Sequence, residues 1–465
     1  MDEVRNSVDI KIALSCSGLT LVAVLIGQQF IGIVLLLTYC YFVFVCLHRK
    51  YTIRNIGALS WQSVKSALVV LKVLILIGGI IGIWMASGTI PAAVYYALDF
   101  VQPEYYVLLC FILCAALSFL IGTSFGTCSI LGVPLMLIAH AGHGNTAIIA
   151  GAIISGAYFG DRMSFMSSSA VLVANVSGST LPINMKNMAR SGVVATMLTI
   201  VSFFIISPYS RLSTVDSGLQ IQLGSAFDIS PILLLPALLL LVMAVGGIRM
   251  DVAMLTSIGV AFLLTLFKQN QSLLEAVHAF VLGYHMNDET NSLATIIRGG
   301  GVLSMGKAAF VVFASSALMG ILTELKVLGS IKNRMEDKSY SRTGLFLMTL
   351  LVSTIVGMVG CNQTIAIIMT ADIMIKPYEK FNWQKYKNDK TTMNQQLAID
   401  IENSGVLMAG LIPWSIASMV PASTLGVTPF DFMPFAFFLF AVPICYFIQL
   451  FISEKIKGKT ITDNL

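Results

Sequence analysis

Apolar runs long enough to cross a bilayer, which takes about 20 mostly apolar residues, recur along the chain between short polar or glycine-rich breaks. They run Ile10 to Ile26, Phe30 to Leu47, Ala67 to Ser87, Tyr105 to Ile121, Thr146 to Gly160, Val193 to Ser207, Ile229 to Val245 and Asp251 to Phe267. Five more follow: Lys307 to Thr323, Gly344 to Met358, Ile365 to Ile375, Gly405 to Val420 and Phe432 to Ile452. In lipid, runs this long satisfy their own backbone only as helices, so the expected class is all-α, a polytopic transmembrane helix bundle. Thr52 to Ser66 is too polar to span. It predicts a short amphipathic helix on the inner surface, with Trp61 at the interface.

Composition narrows the class. Of 465 residues, 57% are hydrophobic and 11% charged, whereas soluble proteins run about 25% charged. A cytosolic enzyme, a disordered chain, a collagen and a disulfide scaffold are excluded. The net charge of +5 does not suggest nucleic acid. The eight cysteines (16, 40, 46, 110, 114, 128, 361 and 445) lie mostly in apolar runs without metal-ligand spacing and read as packing residues. The polar start Met1 to Lys11 has no hydrophobic core region, so no cleaved signal peptide is expected.

With so few charges, their placement orients the chain. Basic clusters occur at His48, Arg49, Lys50, Arg54 and Lys65, and at Lys326, Lys332, Arg334, Lys338 and Arg342. Two more comprise Lys376, Lys380, Lys385, Lys387 and Lys390, then Lys455, Lys457 and Lys459. Positive charge marks the cytoplasmic side. Gly88 to Glu104 has acids and no Lys or Arg, and Ser207 to Asp228 has two Asp to one Arg; both segments face outside. Both termini are then cytoplasmic.

Polar landmarks repeat at a nearly constant offset. Gly82 and Gly320 lie 238 residues apart, Gly122 and Gly360 also 238, and Asp161 and Asp400 239. The span starting at Ala67 runs outward, while its counterpart at Lys307 ends at the basic loop. The expected architecture is one integral membrane domain, 1–465, with two inverted-topology repeats at 67–207 and 305–450. A helix hairpin plus interfacial helix, 10–66, precedes them. Inverted repeats joined by broken or re-entrant helices are a signature of secondary transporters.

Three constellations offer chemistry. Gly122 to Thr127 brings Thr123, Ser124 and Thr127 to a glycine break, paired with Asn362, Gln363 and Thr364 at the second break. Small residues there let hydroxyls and carbonyls face an ion. Asp161 and Arg162 end an apolar helix and are followed by Ser164, Ser167, Ser168 and Ser169. A carboxylate at membrane depth is a functional candidate. Asp400, Glu402 and Asn403 precede the Pro413 break, and Glu324 ends a further span. Such hard oxygen donors suit sodium, whose candidate ligands are Asp161, Asp400 and Glu402. A carboxylate that loses a proton to bind sodium couples the two ions. His140, His143, His278 and His285 titrate near neutrality and are sensor candidates beside a plain surface role. No Walker loop appears, so primary pumping is disfavoured; an enzyme and a cofactor are not expected.

The elements Trp84-Met-Ala-Ser-Gly-Thr-Ile-Pro91, Gly122-Thr-Ser-Phe-Gly-Thr127 and Gly151 through Asp161-Arg-Met-Ser164 resemble the NhaC-type sodium/proton antiporter family, within the ion transporter superfamily. Asn403-Ser-Gly405, Leu411-Ile-Pro-Trp414 and Pro434 to Phe438 are similar to its C-terminal half. The resemblance covers roughly residues 10 to 450. It implies sodium/proton exchange by alternating access across a bacterial plasma membrane. Partners are then sodium ions and protons, the lipid bilayer and, as a candidate, a second copy of the chain. Ser168 stands where the family has Asp, Val171 where it has Asn, and Cys361-Asn362-Gln363 where an acidic element is common. Some relatives are thought to carry amino acids or organic acids, so coupled transport of one of these on the same scaffold is the alternative.

Overall fold

A computed structural model describes residues 9–10, 12–13, 15–20, 24, 30–98, 102–210, 212, 217–286, 297–325, 327, 335, 340–386 and 389–462, with backbone alone at 66, 217–219, 383–386 and 457–462. Lys326, Lys332, Arg334, Lys338 and Lys387, used above for orientation, lie outside the described residues, as do Asp99, Arg211 and Asp216 of the two segments expected to face outside. So does much of Ile10 to Ile26.

The helices in chain order are α1 (Gly32–His48), α2 (Ile53–Ala86), α3 (Thr89–Ala97), α4 (Tyr106–Ile121), α5 (Ser124–Thr127), α6 (Val133–Ala141) and α7 (Thr146–Met163). Then come α8 (Ser168–Ser177), α9 (Leu181–Ile206), α10 (Ser217–Ala226), α11 (Leu235–Val245), α12 (Met250–Phe267) and α13 (Leu273–Leu282). The last group is α14 (Gly306–Glu324), α15 (Arg342–Gly360), α16 (Gln363–Tyr386), α17 (Lys390–Glu402), α18 (Gly405–Met408), α19 (Ile416–Leu425), α20 (Pro429–Phe432) and α21 (Phe437–Thr462). Among the described residues there is no strand, only one isolated bridge between Tyr284 and Gly299.

Eight of the described helices are long and apolar enough to cross a membrane. Two bent pairs, Gln220–Ala226 with Pro231–Val245 and Lys390–Leu411 with Ile416–Leu425, raise the number to ten. The protein is a multi-pass, all-α membrane protein. α7, expected as a span, is not among those eight because Asp161, Arg162 and three glycines lower its hydropathy. The polar stretch Thr52 to Ser66 does not stand apart: from Ile53 it continues unbroken into the following span as the 34-residue α2.

The chain divides into two compact units, Met1–Lys72 with Lys307–Ser418, and Val73–Gly306 with Met419–Leu465. In the second, α4 packs along α7 on a seam of small residues. A Cβ at Gly156 would lie 2.5 Å from the Phe111 carbonyl oxygen, and one at Gly160 would collide with the backbone of Ser118 and Phe119. The missing side chains let the backbones meet, and the Ser118 hydroxyl donates to the Ala157 carbonyl at 2.5 Å. Trp84 is buried and donates to Ser257 at 3.0 Å, which donates to the Pro236 carbonyl at 2.8 Å, tying α2 to α12 and α11.

In the first unit, α14 lies against the early turns of α2, where a Cβ on Gly320 would sit 2.9 Å from Ser63 Oγ. α15 and α16 form a hairpin that turns at Cys361, a non-glycine residue at φ 51°. The turn is held from outside as well: Ile416 N–H donates to the Cys361 carbonyl at 2.9 Å and Trp414 Nε1 to the Met358 carbonyl at 2.8 Å.

Candidate functional site

The first break forms because Gly122 closes α4 in the left-handed region, at φ 67°. Its N–H returns to the Ser118 carbonyl at 2.7 Å. The chain then restarts as α5, capped by the Thr123 hydroxyl, and passes through a π-helical turn at Cys128–Gly132 into α6. Gly122 serves a second need. A Cβ there would lie 2.6 Å from the Met166 carbonyl carbon and 2.7 Å from Ser167 N. Only a glycine lets the segment after α7 reach the break.

That approach closes a shell around Asp161, which is 6% exposed near the end of α7. Ser124 Oγ donates to Oδ2 at 3.3 Å and Ser167 Oγ to Oδ1 at 3.1 Å. Ser167 also caps α8 through Ala170 N at 3.2 Å and bonds the Ser169 hydroxyl at 2.9 Å. Ser164 accepts from Met166 N at 3.1 Å and so shapes the turn between α7 and α8. The Thr127 hydroxyl donates to the Thr123 carbonyl at 2.9 Å, inside α5. The Ser168 side chain is exposed and forms no hydrogen bond among the described residues. Arg162 is buried at 1% exposure and donates from Nη2 to Ser191 Oγ at 3.2 Å and to the Met188 carbonyl at 3.4 Å, both on α9.

The second constellation is built differently. Asp400, fully buried in α17, receives two bonds from Arg342, Nη1 to Oδ2 at 2.5 Å and Nη2 to Oδ1 at 2.6 Å. The buried Tyr378 hydroxyl also donates to Oδ2, and it bonds the Thr349 hydroxyl at 3.0 Å. Glu402 and Asn403 are fully buried beside it in sequence. At the second break, Asn362 Oδ1 accepts from Thr364 N at 2.9 Å. Gln363 Nε2 donates to the Val406 carbonyl at 2.9 Å, and Thr364 is exposed. Asp389 caps α17. Hydrogen bonds from the Thr392 hydroxyl and the Thr391 N–H hold its carboxyl below the usual range.

Glu324 is exposed at the end of α14 and accepts from the Tyr51 hydroxyl at 3.3 Å. Among the described residues no three His, Cys, Asp or Glu side chains gather as metal ligands. Asp161 belongs to one unit, Asp400 and Glu402 to the other. His278 and His285 line a cavity of about 210 Å³ with Glu275, whose carboxylate is held by Ser272 in a capping box.

Sequence reasoning missed Arg342, Tyr378 and Thr349. Arg342 reads in sequence as one more inner-face charge, yet its side chain is 11% exposed. Its signal is weak: an arginine at the first position of an apolar span. Tyr378 and Asp400 lie on different helices, 22 residues apart, and nothing in the local pattern joins them.

The family model described as the Na+/H+ antiporter family matches residues 156–453, more than half of the chain. The chain is 27% identical over 395 residues to a malate-2H+/Na+-lactate antiporter of Bacillus subtilis (strain 168), covering 84% of this chain and 82% of the relative. It is 27% identical over 412 residues to the Na+/H+ antiporter NhaC of Alkalihalophilus pseudofirmus, covering 86% and 87%. An arginine/ornithine antiporter of Halobacterium salinarum is 24% identical over 408 residues, covering 86% and 81%.

Proposed function

This chain belongs to the Na+/H+ antiporter family, and from that premise we propose that it exchanges sodium ions for protons across the plasma membrane by alternating access, with Asp161 holding one ion or the other. One observation carries the reading: a buried carboxylate bracketed by two hydroxyls at a left-handed helix break. Hydroxyls serve both states. They donate to a bare carboxylate, and their oxygens turn to ligate a sodium ion beside it. The glycine break adds backbone carbonyls without a further charge. A proton and a sodium ion each neutralise one buried carboxylate, so the two compete, and that competition is the exchange.

The architecture we propose is a pair of inverted repeats, with both termini cytoplasmic. Two similarities support the repeats. Gly122 and Cys361 both end their helices in the left-handed region with an N–H returned to the carbonyl four residues back. Asp161 and Asp400 each stand two residues before the end of their helix. The orientation rests on the basic clusters near Arg49, Lys376 and Lys455.

Proteoliposomes with a trapped pH dye test the reading. A pulse of external sodium should alkalinise the lumen, as sodium enters and protons leave, with no organic solute present. No response at any pH would overturn it. A second reading, coupled transport of an organic acid or amino acid, is favoured by Ser168 in place of the family's Asp and by the names of two relatives. Solute-dependent flux without sodium-driven proton flux would select it.

A further inference from the structure

The two halves hold their carboxylates in different ways at matching positions. Aligned on the left-handed helix ends and on Asp161 and Asp400, a shift of 239 residues in place of the 238 between Gly122 and Gly360, Gly122, Ser124, Asp161 and Ser167 fall on Cys361, Gln363, Asp400 and Val406. In the first half, Ser124 and Ser167 meet through Asp161 between them. In the second, the corresponding positions bond directly, Gln363 Nε2 to the Val406 carbonyl at 2.9 Å. The carboxylate is not part of that bridge. It is turned instead to the Arg342 guanidinium and the Tyr378 hydroxyl.

We propose that Arg342 is a resident cation, taking at Asp400 the place that a sodium ion takes at Asp161, so that the chain carries one exchangeable cation site rather than two. The proposal rests on Asp161 being the sodium site. The guanidinium offers two parallel donors to both carboxylate oxygens, a geometry no mobile monovalent ion reproduces. Both partners are largely shielded from water, at 11% and 0% side-chain exposure, so the pair is weakly screened. An arginine is not deprotonated in a protein, so its charge stays through the cycle. Tyr378 and Thr349 fix the carboxylate from its other side and act as positioning residues. The shift by 239 residues puts Pro103 opposite Arg342, so the first half offers Asp161 no arginine at that position. The site lined by hydroxyls stays open to exchange, and the site that holds an arginine is filled.

Sodium counting on the purified protein tests this. Equilibrium binding of radioactive sodium to the wild-type chain should saturate at one ion per chain, and Asp161→Asn should abolish it. Saturation at two ions would overturn the resident-cation proposal. A count of zero, or a single ion that survives in Asp161→Asn, would instead overturn the sodium reading of Asp161. Arg342→Gln leaves Asp400 without its cation, so its melting temperature should rise with sodium more steeply than that of wild type, with saturation at two ions. Arg342→Lys keeps the charge and should stay at one ion. If Arg342→Gln does not fold, the neutral pair Arg342→Gln with Asp400→Asn serves: it should bind one ion, and complete loss of sodium binding in that folded variant would place sodium at Asp400 and refute the proposal.

Discussion

Three consecutive serines, Ser167, Ser168 and Ser169, are indistinguishable by residue type, yet the structure gives them different work. Ser167→Ala removes the hydroxyl 3.1 Å from Asp161 Oδ1 and with it the cap on Ala170 N. A hydrogen bond to a charged group is worth about 1.5–3 kcal/mol. Where water does not refill the shell, the lower end of that range is about tenfold in an equilibrium constant. The expected result is a rise of about tenfold in half-saturating sodium for sodium-driven proton flux. Loss of the helix cap adds about 0.5–2 kcal/mol of destabilisation, visible as a lower melting temperature in detergent. Ser167→Thr keeps the hydroxyl and should stay near wild type in both measurements. Ser124→Ala should act in the same direction but less, since its contact is longer, 3.3 Å. Ser168→Ala should do nothing, because the side chain is exposed and bonds no described residue. The assay is everted vesicles with a pH-sensitive dye and a sodium titration. A Ser168→Ala effect as large as that of Ser167→Ala would refute the reasoning, as would an unchanged sodium dependence in folded Ser167→Ala.

Gly122→Ala meets left-handed strain of about 1–2 kcal/mol and a Cβ 2.6 Å from the Met166 carbonyl carbon, so both melting temperature and sodium affinity should fall together. Cys361→Val places a β-branched residue at φ 51° and should be destabilised, whereas Cys361→Gly should be tolerated; thermal unfolding of the pair checks this. Trp84→Phe leaves the Ser257 hydroxyl without its Nε1 donor and should cost about 1 kcal/mol, read as a lower melting temperature. Asp389 has its folded carboxyl lowered, so its stabilising effect is present above the unfolded value and is lost as pH falls through the folded one. Asp389→Ala should therefore melt earlier than wild type at neutral pH, with the gap closing below about pH 4, near the ordinary aspartate value.

The membrane class and most spans were legible because each apolar run is a local signal. The breaks were legible too, since a glycine followed by hydroxyl residues marks a place where a helix in lipid must stop. Asp161 stood out because a carboxylate beside an apolar helix is rare. That Ser167 and not Ser168 touches Asp161 was not legible: it depends on which way the chain turns after Ser164, where the backbone passes close to Gly122. The partner of Asp400 was hidden for a similar reason. Arg342 lies 58 residues away, at a position where an arginine reads as an orienting surface charge. Pairing between distant helices leaves no periodic trace, so a buried ion pair and a cytoplasmic loop charge look alike in one sequence. The polar segment Thr52 to Ser66 reads in sequence as a separate helix because hydropathy changes at Ala67, but a helix backbone continues across a change in polarity when no Gly–Pro break intervenes, and the segment forms the first turns of α2.

In the proposed exchange a single carboxylate, Asp161, carries sodium and proton in turn. Sodium-driven proton flux in proteoliposomes, compared between wild type and Asp161→Asn at matched reconstitution, is the decisive measurement. The amide has the same shape but neither takes up a proton nor offers a charge to sodium. Flux should be lost in Asp161→Asn while the protein keeps its elution profile and melts cooperatively. Sodium-driven flux persisting in that variant, with its pH dependence intact, would contradict the claim.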